Sequence, residues 1–374
     1  MKWLIFAFVL FNLYLIIDCA PKKSDHKNDK KNAQKSKNKN KKSGHNMETQ
    51  TLIIKPLNKA EELPPNSYPV IDPYDSEKFA ISLCSGYSVE TEKIEKELRF
   101  GTFNGGSISL KDVSDKTEAY EKFKKSLNRS ITVISGGMGS NSYEFASNMK
   151  DRVRSSDTII YVNWDTLNGN HDSILNLLTS YGTYAHNAPK VGEKTGILME
   201  ALAKDGAIDV STLIGIGHSL GAHVIGNMGH YLAENVKKIE HIIALDAAKP
   251  CFENWDQLQP ISKKDAKILQ VIHTNVRRFG YARKIGHIDI YPNDGTDQPN
   301  CGSIPIKKDI CNHSYAHQLF LKKAVSAYRS KSWKEFIQKK HDHEINIGLD
   351  LKWNILNAGH LQNNQSYYLE SPKI

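Results

Sequence analysis

No apolar run in this sequence is long enough to cross a bilayer comfortably. The run Trp3–Ile17 follows Lys2 and ends just before Asp18-Cys19-Ala20. A transmembrane helix needs about 20 apolar residues, whereas a shorter run between a positive charge and small residues is typical of a secretory signal peptide. The pattern therefore predicts a signal peptide over residues 1–20 and argues against a membrane anchor.

Apolar residues are almost absent from residues 21–50, which consist largely of lysine and asparagine. Such a segment cannot bury enough surface to offset the chain entropy lost on folding, so we expect it to be disordered. Its ten lysines and three acidic residues give it +7 of the formal net charge of +9. Only +2 remains for residues 51–374, so the basic balance does not predict a nucleic-acid partner. Three interpretations of the segment stay open: attachment to an anionic membrane or glycan surface, a solvated spacer, or a pro-segment that is removed.

Cysteine is also scarce, with five residues in 374. Four of them follow the predicted signal peptide, an even number in a secreted context: Cys84, Cys251, Cys301 and Cys311. Cys301 and Cys311 bracket nine residues, Gly302 to Ile310, and we predict that they form a disulfide. Cys84 and Cys251 either pair or remain buried thiols, and we favour the thiols.

Internal repeats are absent, and the body of the chain alternates strand-like apolar runs with helical patterns. The predicted strands are Phe79–Leu83, Ile131–Ile134, Thr158–Val162, Thr212–Ile216, His241–Leu245 and Ile268–Ile272, and the predicted helices are Tyr143–Arg154, Pro189–Ala203 and Leu220–Asn235. This alternation indicates an α/β fold with a mainly parallel central sheet and helices on both faces. We expect residues 51–374 to form one such domain, with its catalytic groups beyond the carboxyl ends of the strands.

One heptapeptide carries the clearest chemical signal. Gly217-His218-Ser219-Leu220-Gly221-Ala222-His223 lies between a predicted strand and a predicted helix, and its first five residues match G-x-S-x-G. This motif forms a nucleophile elbow, a sharp turn that presents Ser219 Oγ at the end of a parallel sheet. Gly217 and Gly221 leave room beside the strained serine. The N-terminus of the following helix adds partial positive charge where an oxyanion would form.

A phosphate-binding loop is the competing interpretation of these glycines. Gly215, Gly217 and Gly221 are spaced G-x-G-x-x-x-G, which differs from the dinucleotide fingerprint G-x-G-x-x-G. In Ser135-Gly136-Gly137-Met138-Gly139, which also follows a predicted strand, Ser142 occupies the position of the third glycine. The sequence therefore favours a nucleophilic serine over nucleotide binding.

A nucleophilic serine needs a histidine base and an acid that orients the histidine. On hydrolase sheets the three follow in the order Ser, Asp or Glu, His. Asp246 ends the strand after the elbow helix, although an aspartate at a strand end often only caps a turn. The candidate histidines downstream are His273, His287, His313 and His317. We favour His313, because a disulfide at Cys311 would fix the residues that carry it.

Five motifs then follow one another in a characteristic order. They are Gly217–His223, Leu245-Asp246-Ala247-Ala248-Lys249-Pro250, His273-Thr274, Gly286-His287-Ile288-Asp289-Ile290-Tyr291-Pro292-Asn293 and Cys311-Asn312-His313. Together they closely resemble the animal pancreatic-type lipase family, which includes insect phospholipases A1 and yolk-protein relatives. Tyr161-Val162-Asn163-Trp164 resembles the family's Val-Asp-Trp strand, and Tyr367-Tyr368-Leu369 resembles its closing strand. The resemblance begins near residue 78 and implies the α/β-hydrolase fold.

The resemblance implies roles for individual residues. The family's catalytic triad carries over onto Ser219, Asp246 and His313. Its oxyanion hole carries over onto the backbone N–H groups of Leu220 and Gly137. Family members usually have His-Gly-Phe where this chain has Ser135-Gly136-Gly137, so the aromatic side chain of that loop is missing. The resemblance implies no cofactor and no metal.

The resemblance also implies a lipid ester as substrate, met at a membrane or lipoprotein surface. Access to the serine is controlled in the family by the lid, here Gly302–Ile310, and by the segment between His273 and Gly286. Both segments are short, and we expect no C-terminal β-sandwich of the kind found in the family; this combination is the pattern of insect phospholipases A1. We therefore predict a secreted phospholipase A1. The alternatives are a triacylglycerol or galactolipid lipase and a non-catalytic storage or binding protein.

Six basic residues lie in these two segments: Arg277, Arg278, Arg283, Lys284, Lys307 and Lys308. They either meet the phosphate of a lipid head group or form an ordinary solvated surface. The sequence does not favour one of these interpretations over the other.

Overall fold

The computed structural model describes residues 84–167, 174–253, 258–322, 325–347 and 365–371. The predicted signal peptide, the Lys/Asn-rich segment and the predicted strand Phe79–Leu83 lie outside these residues.

Eleven strands form one sheet in this part of the chain. They are β1 (Arg99–Thr102), β2 (Gly106–Ile108), β3 (Ile131–Ser135), β4 (Thr158–Asn163), β5 (Ile214–His218), β6 (Ile239–Leu245), β7 (Ala266–Ile272), β8 (Ile288–Pro292), β9 (Ser326–Arg329), β10 (Glu344–Asn346) and β11 (Gln365–Leu369). Their spatial order is β10-β9-β11-β8-β7-β6-β5-β3-β4-β1-β2. The strands from β11 to β4 in this order run parallel, and the two edges are antiparallel. The prediction of a mainly parallel sheet is confirmed.

Helices cover both faces of the sheet. They are α1 (Thr91–Glu97), α2 (Leu110–Ser114), α3 (Glu118–Lys125), α4 (Ser142–Met149), α5 (Ile174–Lys204), α6 (Leu220–Asn235), α7 (Pro305–Leu321) and α8 (Trp333–Ile337). Alternate strand residues point to opposite faces, so Val133 and Ala244 pack with α5 and α6, whereas Ile134 and Leu245 pack with α4 and α7. The larger of these side chains, Val, Ile and Leu, each contribute about 1.5–3 kcal/mol when fully buried. Among the described helices, none combines the length and the apolar composition of a membrane span.

The predicted elements agree with the structure best around the sheet centre. The elbow helix has the predicted bounds, Leu220–Asn235, whereas the helix predicted over 143–154 ends at Met149 and continues as a 3-10 turn to Arg152. Pro189 was expected to begin a helix but lies inside the 31-residue α5. An internal proline costs a helix about 3 kcal/mol, and the close packing of α5 against α6 offsets this cost. A Cβ on Gly192 would lie 2.4 Å from the carbonyl oxygen of Val224 in α6.

Two disulfides tie the loops around the sheet. Cys301 and Cys311 are bonded as predicted, with Cα atoms 5.3 Å apart. Cys84 and Cys251 are bonded as well, with Cα atoms 5.5 Å apart, so the expectation of buried thiols was wrong. These two cysteines are 167 residues apart in sequence, and only the fold brings the start of the described chain to the turn that follows Asp246.

Candidate active site

Ser219 lies on a sharp turn between β5 and α6. Its φ of 55° and ψ of −124° are unusual for a residue with a side chain, and such backbone strain costs about 1–3 kcal/mol. The turn leaves no space for neighbouring side chains. A Cβ on Gly217 would lie 2.4 Å from the carbonyl oxygen of Gly221, and a Cβ on Gly221 would lie 2.3 Å from that of Ser135. The two glycines are therefore required by the close approach of backbone to backbone.

The three residues expected to form a triad meet at the carboxyl edge of the sheet. His313 Nε2 lies 2.7 Å from Ser219 Oγ, and His313 Nδ1 lies 2.6 Å from Asp246 Oδ2. Ser219 follows β5, Asp246 follows β6, and His313 comes from α7, which includes most of the segment expected to be a lid. Both contacts have hydrogen-bond length. The chain of contacts can therefore carry the hydroxyl proton to the imidazole while the carboxylate balances the resulting charge.

The other candidate histidines lie outside this arrangement. His273 contacts Asp289, and His287 Nδ1 accepts the N–H of Leu269. His317 lies one helical turn after His313, with its ring 5.2 Å from that of His218. Of the four downstream histidines, the structure brings only His313 to the serine.

Asp246 is fully buried and firmly held. Its Oδ1 accepts the backbone N–H groups of Thr274, at 2.7 Å, and Asn275, at 3.2 Å. Gly280 covers the same carboxylate so closely that a Cβ there would lie 2.3 Å from Oδ1. These donors act through the backbone, so no side-chain pattern in the sequence pointed to them.

The Gly136-Gly137 turn lies directly against the serine. A Cβ on Gly137 would lie 2.6 Å from Ser219 Cβ and 3.0 Å from the His218 carbonyl oxygen. Leu220, the other expected oxyanion donor, is fully buried at the first position of α6. The structure therefore places both backbone segments beside Ser219.

Residues after β4 anchor this turn in place of the missing aromatic side chain. Trp164 Nε1 donates to the carbonyl oxygen of Gly136 at 3.3 Å. The carboxylate of Asp165 accepts the backbone N–H of Ser142 at 3.0 Å and also bonds the Ser142 hydroxyl. The motif Tyr161-Val162-Asn163-Trp164 marked this region in the sequence, but its connection to the turn required the fold.

Two further imidazoles surround His313 without carrying charge. Burial lowers the pKa of His218 well below its usual value, and His218 Nε2–H donates to the carbonyl oxygen of His313 at 3.2 Å. The pKa of His317 is lowered to about 4, mainly by burial and to a smaller extent by repulsion from His313. Both rings are neutral near pH 7, so they do not repel a positive charge on His313.

We expect the free energy of unfolding to fall as the pH drops from about 6.5 towards 4. Burial lowers the pKa of His223 and of His241 to about 3, and that of His317 to about 4. The folded state keeps these rings neutral, while the unfolded chain binds protons below its ordinary pKa near 6.5. Each ring therefore removes about 1.4 kcal/mol of stability per pH unit in this window.

Two carboxyls, one buried and one partly buried, act in the opposite direction. Burial raises the pKa of Asp265 and of Asp294 to about 6, so the folded state binds their protons first and gains stability as the pH falls. The contribution of His241 is isolated by comparing urea unfolding of the wild type and His241→Gln between pH 7.5 and 4.5. The variant should lose about 1.4 kcal/mol less per pH unit. Parallel curves for the two proteins would contradict the prediction.

The basic residues near the site mostly have acidic neighbours. Lys308 and Arg277 both approach Asp297, at 2.8 and 3.9 Å. Two more pairs join Arg278 to Asp309 at 3.6 Å and Arg283 to Glu253 at 3.9 Å. Within the described residues, no ion pair is found for Lys284 or Lys307. These two lysines are the better candidates for meeting a phosphate.

Comparison with known proteins decides the family. The family model named Lipase matches residues 90–344, which is more than half of the chain. The chain belongs to the Lipase family. Its fold is the α/β-hydrolase fold, as the motifs predicted. The assignment agrees with the sheet order and with the elbow after β5.

Several known proteins resemble this chain over part of their length. A phospholipase A1 of Vespula squamosa is 41% identical over 140 residues, which cover 37% of this chain and 46% of that protein. A phospholipase A1 of Vespula vulgaris is 31% identical over 197 residues, covering 52% and 58%. A hepatic triacylglycerol lipase of Oryctolagus cuniculus is 36% identical over 138 residues, covering 36% and 28%. The chain spans about half the length of the phospholipases it matches.

Proposed function

We propose that the protein is a serine esterase that hydrolyses acyl esters of lipids, with Ser219 as nucleophile. The observation that carries the proposal is the pair of short contacts through His313, 2.7 Å to Ser219 Oγ and 2.6 Å to Asp246 Oδ2. Membership of the Lipase family supports the class of substrate.

In the proposed reaction, Ser219 Oγ attacks the ester carbonyl carbon while His313 Nε2 takes the hydroxyl proton. The backbone N–H groups of Leu220 and Gly137 bind the oxyanion that forms. Collapse of this intermediate breaks the ester bond, and the leaving alcohol takes its proton from His313. Water then attacks the acyl-serine while His313 takes its proton. The bond between Ser219 Oγ and the acyl carbon breaks, His313 returns the proton to Oγ, and the fatty acid leaves. Asp246 stabilises the imidazolium in both halves of the reaction.

Among lipid esters, we propose the sn-1 ester of phospholipids as the preferred substrate. The segment between Cys301 and Cys311 is short, and α7 already begins at Pro305, so little of it remains as a loop. A short lid leaves room for a polar head group and offers little apolar surface for a third acyl chain. Relatives from Vespula squamosa and Vespula vulgaris carry the name phospholipase A1. Lys284 and Lys307 are the cations proposed to meet the phosphate.

The test is release of fatty acid from phosphatidylcholine labelled separately at its two ester positions. Purified protein is compared with Ser219→Ala, and triacylglycerol and galactolipid are assayed in parallel. Release of the sn-1 label by the intact protein alone is the expected result. Turnover of triacylglycerol alone would contradict the phospholipase assignment and favour the neutral lipase, in keeping with the rabbit hepatic relative. No turnover of any ester would favour a non-catalytic binding protein.

We also propose that the protein is secreted. Its two disulfides fit an oxidising compartment, and the predicted signal peptide gives the route. At an anionic surface the Lys/Asn-rich segment would add about 1 kcal/mol of attraction per basic residue close to that surface. Cultured cells that secrete the protein into the medium, and retain it when residues 1–20 are deleted, would support this proposal.

A further inference from the structure

A buried imidazole–carboxylate pair lies between the carboxyl end of β7 and strand β8. His273 Nε2 is 2.8 Å from Asp289 Oδ1, and both residues are fully buried. Asp289 also accepts two backbone N–H groups, from Ile285 at 3.1 Å and Gly286 at 3.1 Å. The Asp289 carboxylate is therefore held both by the ring of His273 and by the backbone that precedes β8.

The second ring nitrogen of His273 also faces an acceptor. Nδ1 lies 2.9 Å from the carbonyl oxygen of Tyr281, and a carbonyl cannot donate. Nδ1 therefore carries the hydrogen of this bond. The ring bridges the Tyr281 carbonyl oxygen and the Asp289 carboxylate. The ring also stacks on Tyr291, with centroids 4.5 Å apart and planes 6° apart.

The hydrogen bond between His273 and the Tyr281 carbonyl oxygen joins the two ends of the loop of residues 274–281. That loop holds Asp246, because the N–H groups of Thr274 and Asn275 donate to its Oδ1. The loop turns back through the bond from Gly280 N–H to the Asn275 carbonyl oxygen, at 2.9 Å, and Gly280 lies against the Asp246 carboxylate. The loop thus shields the acid from water and supplies two of its hydrogen bonds.

The opposite side of the loop reaches the histidine of the triad. The Phe279 ring packs edge-on against His313, with centroids 5.7 Å apart. The backbone beside it is fixed by two bonds, from Lys249 N–H to the Phe279 carbonyl oxygen at 2.7 Å and from Tyr281 N–H to the Ala247 carbonyl oxygen at 3.0 Å. Movement of the loop would therefore disturb Asp246 and His313 together.

We propose that His273, held by Asp289, is a positioning residue that keeps loop 274–281 closed on Asp246. In the contacts above it meets neither the serine nor His313, so it acts on the reaction only through the loop. Its effect on turnover rests on the proposed function, whereas its effect on the Asp246–His313 hydrogen bond does not.

The kinetic test compares Asp289→Asn and His273→Gln with the wild type on a dissolved short-chain ester. Active sites are counted with a serine-reactive phosphonate, so that misfolded molecules do not enter the rate. If the loop loosens and Asp246 is displaced, kcat per active site should fall about ten- to a hundredfold, with KM changed less than twofold. The double variant should be no slower than the slower single variant, because the two residues act as one unit.

His241→Gln is the matched control. His241 is also a fully buried histidine of the sheet, on β6, and its kcat per active site should equal that of the wild type. If Asp289→Asn and His273→Gln also keep the wild-type kcat per active site while the wild type is active, the positioning role is overturned.

A nuclear magnetic resonance test does not depend on turnover. In protein labelled with ¹⁵N at histidine, His273 should show a protected Nδ1–H proton at pH 7.5, absent in His273→Gln. The proton between His313 Nδ1 and Asp246 should be visible in the wild type, in Ser219→Ala and in His241→Gln. It should exchange faster or disappear in Asp289→Asn. A His313 proton unaffected by Asp289→Asn would overturn the inference even if no ester is hydrolysed.

Discussion

Replacing His313 with alanine is expected to lower kcat for ester hydrolysis by about a million-fold. The substitution removes the proposed base, because His313 Nε2 is the ring nitrogen that lies 2.7 Å from the Ser219 hydroxyl. The measurement is turnover of a dissolved ester by the purified variant, with unfolding followed separately to show that the fold is retained.

The members of a triad act as a unit, which supplies an internal check. The double variant Ser219→Ala, His313→Ala should be no slower than either single variant. The matched control is His317→Ala, which removes another imidazole of α7, one turn further along and 5.2 Å from the His218 ring. It should retain at least a tenth of the activity. His313→Ala with more than a thousandth of the wild-type kcat would contradict the proposed role.

Gly137→Ala is expected to lower kcat about 10²- to 10³-fold, the usual effect of losing one oxyanion donor. The new methyl group would lie 2.6 Å from Ser219 Cβ and 3.0 Å from the His218 carbonyl oxygen. Both distances are too short, so the turn or its neighbours must move to make room. Because Trp164 fixes the neighbouring Gly136, the shift should fall on the Gly137 N–H itself. The affinity for a boronic acid, which mimics the tetrahedral intermediate, should fall in parallel with kcat.

Met138→Leu serves as the control for this loop. Met138 packs against the core, and a swap that conserves volume usually costs less than about 1.5 kcal/mol. Its kcat should stay within twofold of the wild type. Full activity of Gly137→Ala would mean that the oxyanion is bound elsewhere.

The parts of the fold that the sequence predicted are those with strong local signals. The elbow helix follows a G-x-S-x-G turn and a buried strand, so its bounds, Leu220–Asn235, agree at both ends. The central strands are continuous apolar runs, which is typical of parallel strands covered on both faces. The edge strands β1, β2, β9 and β10 are short and partly exposed, and they carry no such run.

The residues of the site also divide into those that the local sequence indicates and those that only the fold brings together. Ser219 and Asp246 follow strands whose ends are visible in the sequence, and the order of the motifs selected His313 among four histidines. The hydrogen bonds that hold Asp246 come from backbone N–H groups of residues 274 and 275, about which side-chain identity says nothing. The Cys84–Cys251 pairing depends on contacts across most of the domain. Such long-range partners are set by the assembled sheet, and the local sequence does not specify them.

The Cys84–Cys251 disulfide has a consequence for damage to the chain. It encloses a segment that contains Ser219 and Asp246, while His313 lies outside it. A single proteolytic cut within that segment would release no fragment, because the two products stay covalently joined through the cystine. On a denaturing gel the cut protein would keep its full mass until it is reduced. For an enzyme proposed to work among extracellular proteases, a nicked molecule would still contain all three residues of the proposed triad.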